Sequence, residues 1–321
     1  MKLRRSRGVA LAAVLVAGTA CSGFPGNPIR LFPQPPTGPS PAPPHQTMPR
    51  PGSLVFVSDR SGQLQIYSIR ADGTEMRRLT DDASVDSWPV WSPDGSRIAF
   101  ASTRAGASDI FVMPAAGGAA TRLTSSPGDD YHPTWSPDGR KIAFESTRDG
   151  NAEIYTMDAD GSHEVRRTRD PALDGSPAWS PDGGNIAFES YRDGDYEIYT
   201  IRPDGSGARR LTDAPGEDGS PAWSPDGSEI AFSSARDGQP RLYVMRPDGA
   251  DQVPISPPAP ADSGGGTGVF MDAGPAWSRD GAWIAFETTR PGTLEIWAMR
   301  ADGTAVVPIT TVANNGSPSW A

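Results

Sequence analysis

Cysteine and histidine are scarce in this 321-residue sequence, and their scarcity excludes several kinds of site. Cys21 is the one cysteine, so the chain can form no internal disulfide and no thiolate metal cluster. His45, His132 and His163 are the only histidines, which leaves few ligands for zinc and few bases for histidine-dependent catalysis. We therefore expect no required cofactor.

Helical apolar spacing is missing after residue 20, whereas glycine (36) and proline (34) are abundant, which favours turn-rich β-structure. The formal net charge is −10, and loss of the first twenty residues would remove four basic and no acidic side chains, leaving −14. Phosphate backbones repel such a surface, so nucleic-acid binding is not expected. A basic partner or a cation is the better electrostatic match.

The first twenty residues have the plan of a secretory signal: basic residues 2–7, an apolar run over 9–16 and small residues up to Ala20. The apolar run is too short to span a bilayer. Cys21 directly after the small residues resembles the lipobox of bacterial lipoproteins, which implies lipidation of Cys21 and a lipid anchor on the cell membrane or outer membrane. The alternative is a plain signal peptide, cleaved near Ala20, on an exported protein.

Residues 21–52 form a predicted linker, because the stretch from 22 to 52 holds eleven prolines and few apolar residues. Such a segment cannot bury a core and favours extended polyproline II, at about 3.1 Å per residue. The linker would hold the following domain away from a membrane. A proline-rich ligand for another module is the alternative.

A five-residue motif, Trp-Ser-Pro-Asp-Gly, organises the rest of the chain. Its copies begin at Trp91, Trp135, Trp179 and Trp223, and again at Trp277, where Arg279 replaces the proline; the steps are 44, 44, 44 and 54 residues. A partial copy ends in Trp320, 43 residues further on. A fixed period in the forties indicates one supersecondary unit repeated along the chain.

Each repeat reads as a four-stranded antiparallel meander. In the third full copy the predicted strands are 178–180, 185–190, 196–201 and 209–212, and turns rich in proline, aspartate and glycine separate them. Trp-Ser-Pro-Asp-Gly, Ile-Ala-Phe, Arg-Asp-Gly, Ile-Tyr and Arg-Leu-Thr in this order resemble the WD-repeat-like blades of the TolB C-terminal domain. The resemblance covers about 270 residues and implies a β-propeller; nothing in the chain matches the N-terminal α/β domain of TolB.

The two ends of the array complement each other. Residues 54–80 match the second, third and fourth strands of a blade, and residues 317–320 match a first strand. We therefore predict an all-β, six-bladed β-propeller over residues 53–321, in which the C-terminal strand completes the N-terminal blade. Closure would remove the open edge of a linear array.

An acidic position recurs five residues before each motif tryptophan and predicts a ring around one mouth of the central channel. One interpretation is that these side chains cap backbone amides in the turns that enter the inner strands. The other is an electronegative collar that contacts a basic partner, or that binds calcium through its five aspartates. The ring consists of Asp86, Asp130, Asp174, Asp218, Asp272 and Asn315.

Large side chains follow this ring on one side only: Trp88, Tyr131 and His132, with small residues in the other blades. Aromatic residues beside a cavity are typical partner anchors, although they can equally plug the channel as core. The 54-residue step adds an insertion over 257–268 on the same face, followed by Phe270. It either carries specificity or is a neutral addition.

Four arginines stand five residues before an acid across the hairpin of the second and third strands, and we predict cross-strand ion pairs there. The pairs are Arg104 with Asp109, Arg148 with Glu153, Arg192 with Glu197 and Arg290 with Glu295.

Together these features predict a monomeric scaffold of the bacterial cell envelope that binds a protein or peptide with a basic segment, or another envelope component, at the aspartate-rimmed mouth. The partner-contacting residues would be the ring together with Trp88, Tyr131, His132 and Phe270. The alternatives are a propeller enzyme, hydrolase or lyase, and an envelope sensor or assembly factor. The sequence lacks the Gly-x-Ser-x-Gly turn of α/β-hydrolases, so we expect no enzyme activity.

Overall fold

A computed structural model describes residues 52–257 and 270–321, which form six four-stranded antiparallel sheets. The fold class predicted from the repeats is confirmed. The signal peptide, Cys21, the linker to Pro51 and most of the insertion lie outside the described residues, so those predictions stay predictions. Within the described ranges, no helix is long and apolar enough to cross a membrane.

Each blade takes its strands in chain order, from the channel outwards, except blade 1, whose innermost strand is the last in the chain. The strands are as follows: blade 1, β1 Ser53–Ser58, β2 Gln65–Arg70, β3 Arg77–Arg78 and β24 Asn315–Trp320; blade 2, β4 Asp86–Trp91, β5 Arg97–Ala105, β6 Ala107–Pro114 and β7 Thr121–Arg122; blade 3, β8 Asp130–Trp135, β9 Lys141–Ser146, β10 Glu153–Asp158 and β11 Val165–Arg166; blade 4, β12 Asp174–Trp179, β13 Ile186–Ser190, β14 Glu197–Ile201 and β15 Arg209–Arg210; blade 5, β16 Asp218–Trp223, β17 Ile230–Ser234, β18 Arg241–Met245 and β19 Val253–Pro254; blade 6, β20 Asp272–Trp277, β21 Trp283–Thr288, β22 Glu295–Arg300 and β23 Val307–Pro308.

The Trp-Ser-Pro-Asp-Gly motif builds the hairpin between the first two strands of a blade. In blade 3, Asp138 Oδ1 accepts hydrogen bonds from Ser136 Oγ (2.6 Å) and from the Arg140 amide (3.1 Å). Gly139 adopts φ 68°, a left-handed conformation that costs glycine little. The motif is therefore a scaffold turn, as its repetition indicated.

The core lies between neighbouring blades. The second strand of every blade carries a fully buried phenylalanine, in an Ile-Ala-Phe segment in blades 2 to 6 and in Leu-Val-Phe in blade 1. Burying each ring contributes about 2 to 3 kcal/mol through the hydrophobic effect. The six equivalent side chains are Phe56, Phe100, Phe144, Phe188, Phe232 and Phe286.

The ring closes in blade 1, where the C-terminal strand β24 pairs antiparallel with the N-terminal strand β1. Leu54 lies opposite Trp320, and the Ala321 amide donates to the Ser53 carbonyl (2.8 Å). Each of the six innermost strands contacts those of both neighbouring blades. The predicted closure is thus confirmed, and the innermost strands enclose a central channel.

Arg279, which replaces the motif proline in blade 6, contacts blade 2. Its guanidinium donates to the Pro93 carbonyl. In blades 3 to 6, the motif glycine lies next to the motif proline one blade earlier, as Gly183 does to Pro137. The arginine therefore spans the position of blade 1, which contributes no such hairpin within the described residues.

Candidate functional site

The channel mouth is shaped by a bulge that repeats in every innermost strand. In blade 2 the pairing register shifts between Ser87 and Val90, and Trp88 adopts φ 48°. Equivalent shifts occur in the other blades, with positive φ at the equivalent residues. A bulge re-aims side chains and leaves residues unpaired in the ladder. The six bulge residues line a channel cavity of about 330 Å³ and are Trp88, His132, Ser176, Ser220, Gly274 and Ser317.

The ring aspartates begin the innermost strands at this mouth, as predicted, but their side chains are buried and paired. Each is at most 1% exposed and contacts an arginine that follows it by 18 residues in the same blade. In blade 4, Arg192 Nη2 lies 2.9 and 3.0 Å from the two oxygens of Asp174. The aspartates therefore hold the hairpin of their own blade, and their negative charge is matched within the chain.

Arginine in most of these pairs also lies over the aromatic pair of its blade. The guanidinium carbon of Arg192 is 5.6 Å from the Phe188 ring and 4.4 Å from the Tyr199 ring. Cation–π contacts of this kind add about 0.5 to 2 kcal/mol, depending on desolvation. Blade 6 differs, because Arg290 lies 4.2 Å from the ring of Phe270.

Asn315 takes the ring position in blade 1, and its side chain is also buried. Arg60 Nη2 donates to Asn315 Oδ1 (2.7 Å), so this arginine meets an amide where the other five meet a carboxylate. Asn315 Nδ2 donates in turn to the carbonyls of Val312 and Ala313, both at 2.9 Å. The asparagine thus also fastens the segment that leads into the closing strand.

The predicted cross-strand pairs between arginine and the acid five residues later are wrong. Arg148 pairs with Asp130, whereas Glu153 pairs with Arg166 on the outer strand and accepts from Thr168 Oγ1. The hairpin turns the arginine inward over its own blade, away from the third-strand acid. The other three arginines also contact the ring aspartate of their blade: Arg104 with Asp86, Arg192 with Asp174 and Arg290 with Asp272. Asp109 and Glu197 pair with the outer-strand residues Arg122 and Arg210, whereas Glu295 accepts from the Trp297 indole on its own strand.

Three glutamates to which the sequence assigned no role lie at the channel mouth. Each is on the second strand of its blade and pairs, in the ladder, with the innermost-strand residue directly after the ring aspartate. Glu189 Oε2 accepts from the Ser220 amide of the next blade at 2.8 Å, and Glu145 Oε2 accepts from the Ser176 amide at 3.3 Å. Glu287 makes the equivalent contact with Ser317 in the closing strand. Their spacing of 15 residues after each ring aspartate was a signal that could have found them.

Burial changes the acidity of these glutamates. Desolvation raises the pKa of Glu287 to about 7 and raises the pKa of Glu189, against the lowering effect of the backbone amide that each accepts from. Among the described residues, no lysine or arginine forms an ion pair with either group, whereas the ring aspartates all have one. The mouth therefore holds carboxylates whose charge is not matched by a lysine or arginine of the described residues, with the His132 imidazole as the basic group that acts on both.

Trp88, Tyr131 and His132 form an aromatic cluster beside these carboxylates. The Trp88 ring centroid lies 5.0 Å from that of Tyr131, edge to face, and 4.3 Å from that of His132. His132 Nδ1 is 3.0 Å from Glu145 Oε2. All three side chains are half-buried, so the cluster both packs against the channel wall and presents surface at the mouth.

Phe270, predicted as a partner contact, is only 5% exposed and is covered by Arg290. Its amide donates to Gln239 Oε1 at 3.1 Å. The exposed apolar surface at this mouth comes from other residues: Leu173 is 41% exposed and Tyr191 37%. Both lie in blade 4, where the Tyr191 amide donates to the Leu173 carbonyl (2.9 Å).

The five ring aspartates do not converge on one point in this arrangement, since each is turned into its own blade. Within the described ranges, no group of three or more histidine, cysteine, aspartate or glutamate side chains is placed to hold a metal ion. Calcium binding at Asp86, Asp130, Asp174, Asp218 and Asp272 stays a prediction, which a calorimetric titration with calcium would test.

The Glu287→Gln variant is expected to be more stable than the parent protein at pH 8, by roughly 3 kcal/mol, and nearly unchanged at pH 4.5. The pKa of Glu287 is higher in the folded protein, at about 7, than the unfolded value of 4.5. Its stabilising contribution is therefore complete below pH 4.5 and is lost as the pH rises through 7. Glutamine keeps the acceptor for Ser317 and removes the charge. Urea unfolding at both pH values measures the difference.

Glu75→Gln is the matched control, because Glu75 is an exposed glutamate paired with Arg70 on the opposite face. We expect that variant to follow the parent protein across the same pH range. An equal gain for Glu287→Gln at pH 4.5 and pH 8 would show that the effect comes from packing and not from ionisation.

Comparison with known proteins agrees with this architecture. The family model described as the TolB beta propeller domain matches residues 83–172 and 168–258, more than half of the chain. The crystal structure of TolB from Acinetobacter baumannii superposes with a TM-score of 0.70 at 22% identity, covering 84% of this chain and 66% of that one. At that identity, the likeness to the solved structure shows the fold.

Curated relatives match over single repeats. A protein TolB homolog of Chlorobium luteolum is 47% identical over 47 residues, which is 15% of this chain and 11% of that protein. An uncharacterized peptidase of Bacillus subtilis, YuxL, is 47% identical over 47 residues, 14% of this chain and 7% of the relative. The matches thus span a small part of each relative. A family model over more than half of the residues and six blades, five of them with the five-residue hairpin motif, place the chain in the TolB β-propeller family.

Proposed function

We propose that this protein is a binding scaffold of the bacterial cell envelope, and that the channel mouth beside the ring residues receives a basic segment of a protein or peptide partner. The observation that carries the proposal is the pair of channel carboxylates, Glu189 and Glu287, whose charge no lysine or arginine of the described chain matches. A lysine or arginine from a partner would supply the missing cation. Buried charge pairs of this kind mainly determine specificity and dissociation rate.

The surroundings of the two carboxylates favour a peptide over a free ion. Leu173 and Tyr191 expose apolar surface on blade 4, and the half-buried cluster of Trp88, Tyr131 and His132 lies on blades 2 and 3. Aromatic residues next to a polar cavity are frequent anchors for partner side chains. The predicted signal peptide and membership in the TolB β-propeller family support placement in the cell envelope, and lipidation at Cys21 would hold the protein there.

Crosslinking in intact cells tests this proposal. A photoreactive residue at Leu173 is expected to capture an envelope protein, because this exposed position lies at the mouth. The matched control is Arg140, which is 85% exposed in the hairpin at the opposite end of the channel and should capture nothing comparable. The Glu189→Gln, Glu287→Gln double variant should weaken capture at Leu173 more than about tenfold. Equal capture at both faces, or no effect of the double variant, would contradict the proposal.

An enzyme is the second candidate, and the matching segment of a peptidase favours keeping it. We propose a non-catalytic role, since the site found here consists of carboxylates in hydrogen bonds with backbone amides. Incubation of the purified protein with peptide, ester and polyuronide substrates is expected to give no turnover. Turnover abolished by Glu287→Gln would overturn the binding role.

A further inference from the structure

The six bulge residues at the mouth offer an internal comparison, because four of their backbone amides receive a side-chain acceptor from the preceding blade. Glutamates provide three of these acceptors, and Ser233 provides the fourth, with its Oγ 3.2 Å from the Gly274 amide. Three blades thus show directly that this position accepts a carboxylate. The glutamate contacts are Glu145 with Ser176, Glu189 with Ser220 and Glu287 with Ser317.

Two adjacent blades lack the acceptor. For the Trp88 amide, the acceptor position in the preceding blade is occupied by Val57. For the His132 amide, it is occupied by Ala101. Ala101 lies opposite Ser87 in the ladder, as Glu145 lies opposite Tyr131, so the positions correspond. Neither valine nor alanine carries a side-chain acceptor, and both bulge residues line the channel cavity.

These two amides lack the acidic neighbour that the preceding blade supplies to three of the other bulge amides. Blades 1 and 2 have no glutamate at the second-strand position, and Asn315 replaces the ring aspartate, so Arg60 meets an amide oxygen and no carboxylate within the described ranges. Glu145 contacts both the His132 imidazole and the Ser176 amide, and Glu189 and Glu287 lie within electrostatic range of the same imidazole. A partner carboxylate on the Trp88 or His132 amide would replace no glutamate of the chain, whereas one at Ser220 or Ser317 would have to displace Glu189 or Glu287.

We infer that the mouth takes a carboxylate of its partner on the backbone amides of Trp88 and His132, in the position that glutamates fill in three other blades. The ligand class is a peptide with a carboxylate, from an acidic side chain or from a free C terminus, next to an apolar residue that packs on Trp88 and Tyr131. The inference rests on the proposed function only in assigning the ligand to the same mouth. A basic residue of the same segment would reach the glutamate side.

Amide chemical shifts of the ¹⁵N-labelled protein test this inference with three defined peptides. They are acetyl-Lys-Ala-Leu with a free C terminus, the same peptide as the C-terminal amide, and acetyl-Lys-Glu-Leu amide. We expect saturable shifts of the Trp88 and His132 amides with one or both carboxylate peptides, and about tenfold weaker binding of the peptide without a carboxylate. The Ser176 and Ser220 amides serve as internal controls, because glutamates already occupy them. The peptide that binds identifies the source of the carboxylate.

A matched variant supplies the carboxylate from within. In Ala101→Glu the new side chain should cap the His132 amide, as Glu145 caps Ser176, and the peptide-induced shift at His132 should vanish while Trp88 still responds. If burial of position 101 prevents folding, the titration of the parent protein decides the matter. Equal shifts with all three peptides, or shifts at Ser176 and Ser220 as large as at Trp88 and His132, would overturn the inference. Crosslinking at Leu173 without carboxylate-dependent amide shifts would support the proposed function and overturn this inference. Carboxylate-dependent shifts without crosslinking at Leu173 would support this inference and contradict the proposed function.

Discussion

Deletion of residues 312–321 is expected to abolish cooperative unfolding of the propeller, because it removes β24, the innermost strand of blade 1. Without this strand, β1 keeps β2 but loses its partner on the channel side, and an unpaired edge faces the channel. Trp320, 8% exposed with its indole nitrogen donating to the Ala276 carbonyl at 3.0 Å, would leave the interface with blade 6. Differential scanning calorimetry and size-exclusion chromatography should show a broad transition and soluble aggregates.

The point variant Trp320→Ala separates side-chain packing from closure, and should cost about 3 to 5 kcal/mol while cooperative unfolding persists. Deletion of Ala321 alone is the control, since it removes one backbone hydrogen bond to Ser53 and leaves the strand in place. A ten-residue deletion with the melting temperature of the parent protein would show that the ring does not depend on this strand.

Replacement of Arg192 by methionine is expected to destabilise the protein by about 3 to 5 kcal/mol, because it leaves the carboxylate of Asp174 buried without its cation. The side chain of Asp174 is fully buried, so water cannot take over the role of the guanidinium. Methionine keeps much of the apolar contact with Phe188 and Tyr199, and the loss therefore reports mainly on the ion pair. Chemical denaturation at pH 7 measures it.

Two controls make this result specific. The double variant Arg192→Met, Asp174→Leu removes both charges and should recover most of the stability, as replacement of buried ion pairs by apolar residues often does. Arg60→Met should cost less than Arg192→Met, because the partner of Arg60 is the neutral Asn315. Equal losses for Arg60→Met and Arg192→Met would show that the aromatic contact, and not the buried charge, is the main contribution.

The repeat period was sufficient to predict the blade count, the strand order and the closure, because each blade is a local meander and each position recurs in register with the tryptophan. It also placed the ring at one mouth. It did not reveal the partners of the ring. Arg192 has Glu197 five residues ahead and Asp174 eighteen residues behind, and only the three-dimensional hairpin decides that it contacts Asp174.

The channel glutamates were missed for a related reason. Glu189 directly follows the buried Ile-Ala-Phe segment of its strand, and its role depends on a bulge amide in the next blade, 31 residues away at Ser220. The two partners lie in different repeats, so neither repeat by itself indicates the contact. Once that contact is known, Val57 and Ala101 can be recognised as the residues that occupy the glutamate position in blades 1 and 2.

The pairing of β1 has a mechanical consequence. The described chain enters at Ser53, at the end of blade 1 where Trp320 lies, and β1 runs from there towards the mouth of the ring residues. A pulling force between the segment before Ser53 and a molecule held at that mouth would act along the length of β1. Because β1 is hydrogen-bonded to β24 on one side and β2 on the other, both ladders would have to shear at once, with many hydrogen bonds sharing the load. Closure through the C-terminal strand thus gives the first strand of the described chain two ladders that resist tension together.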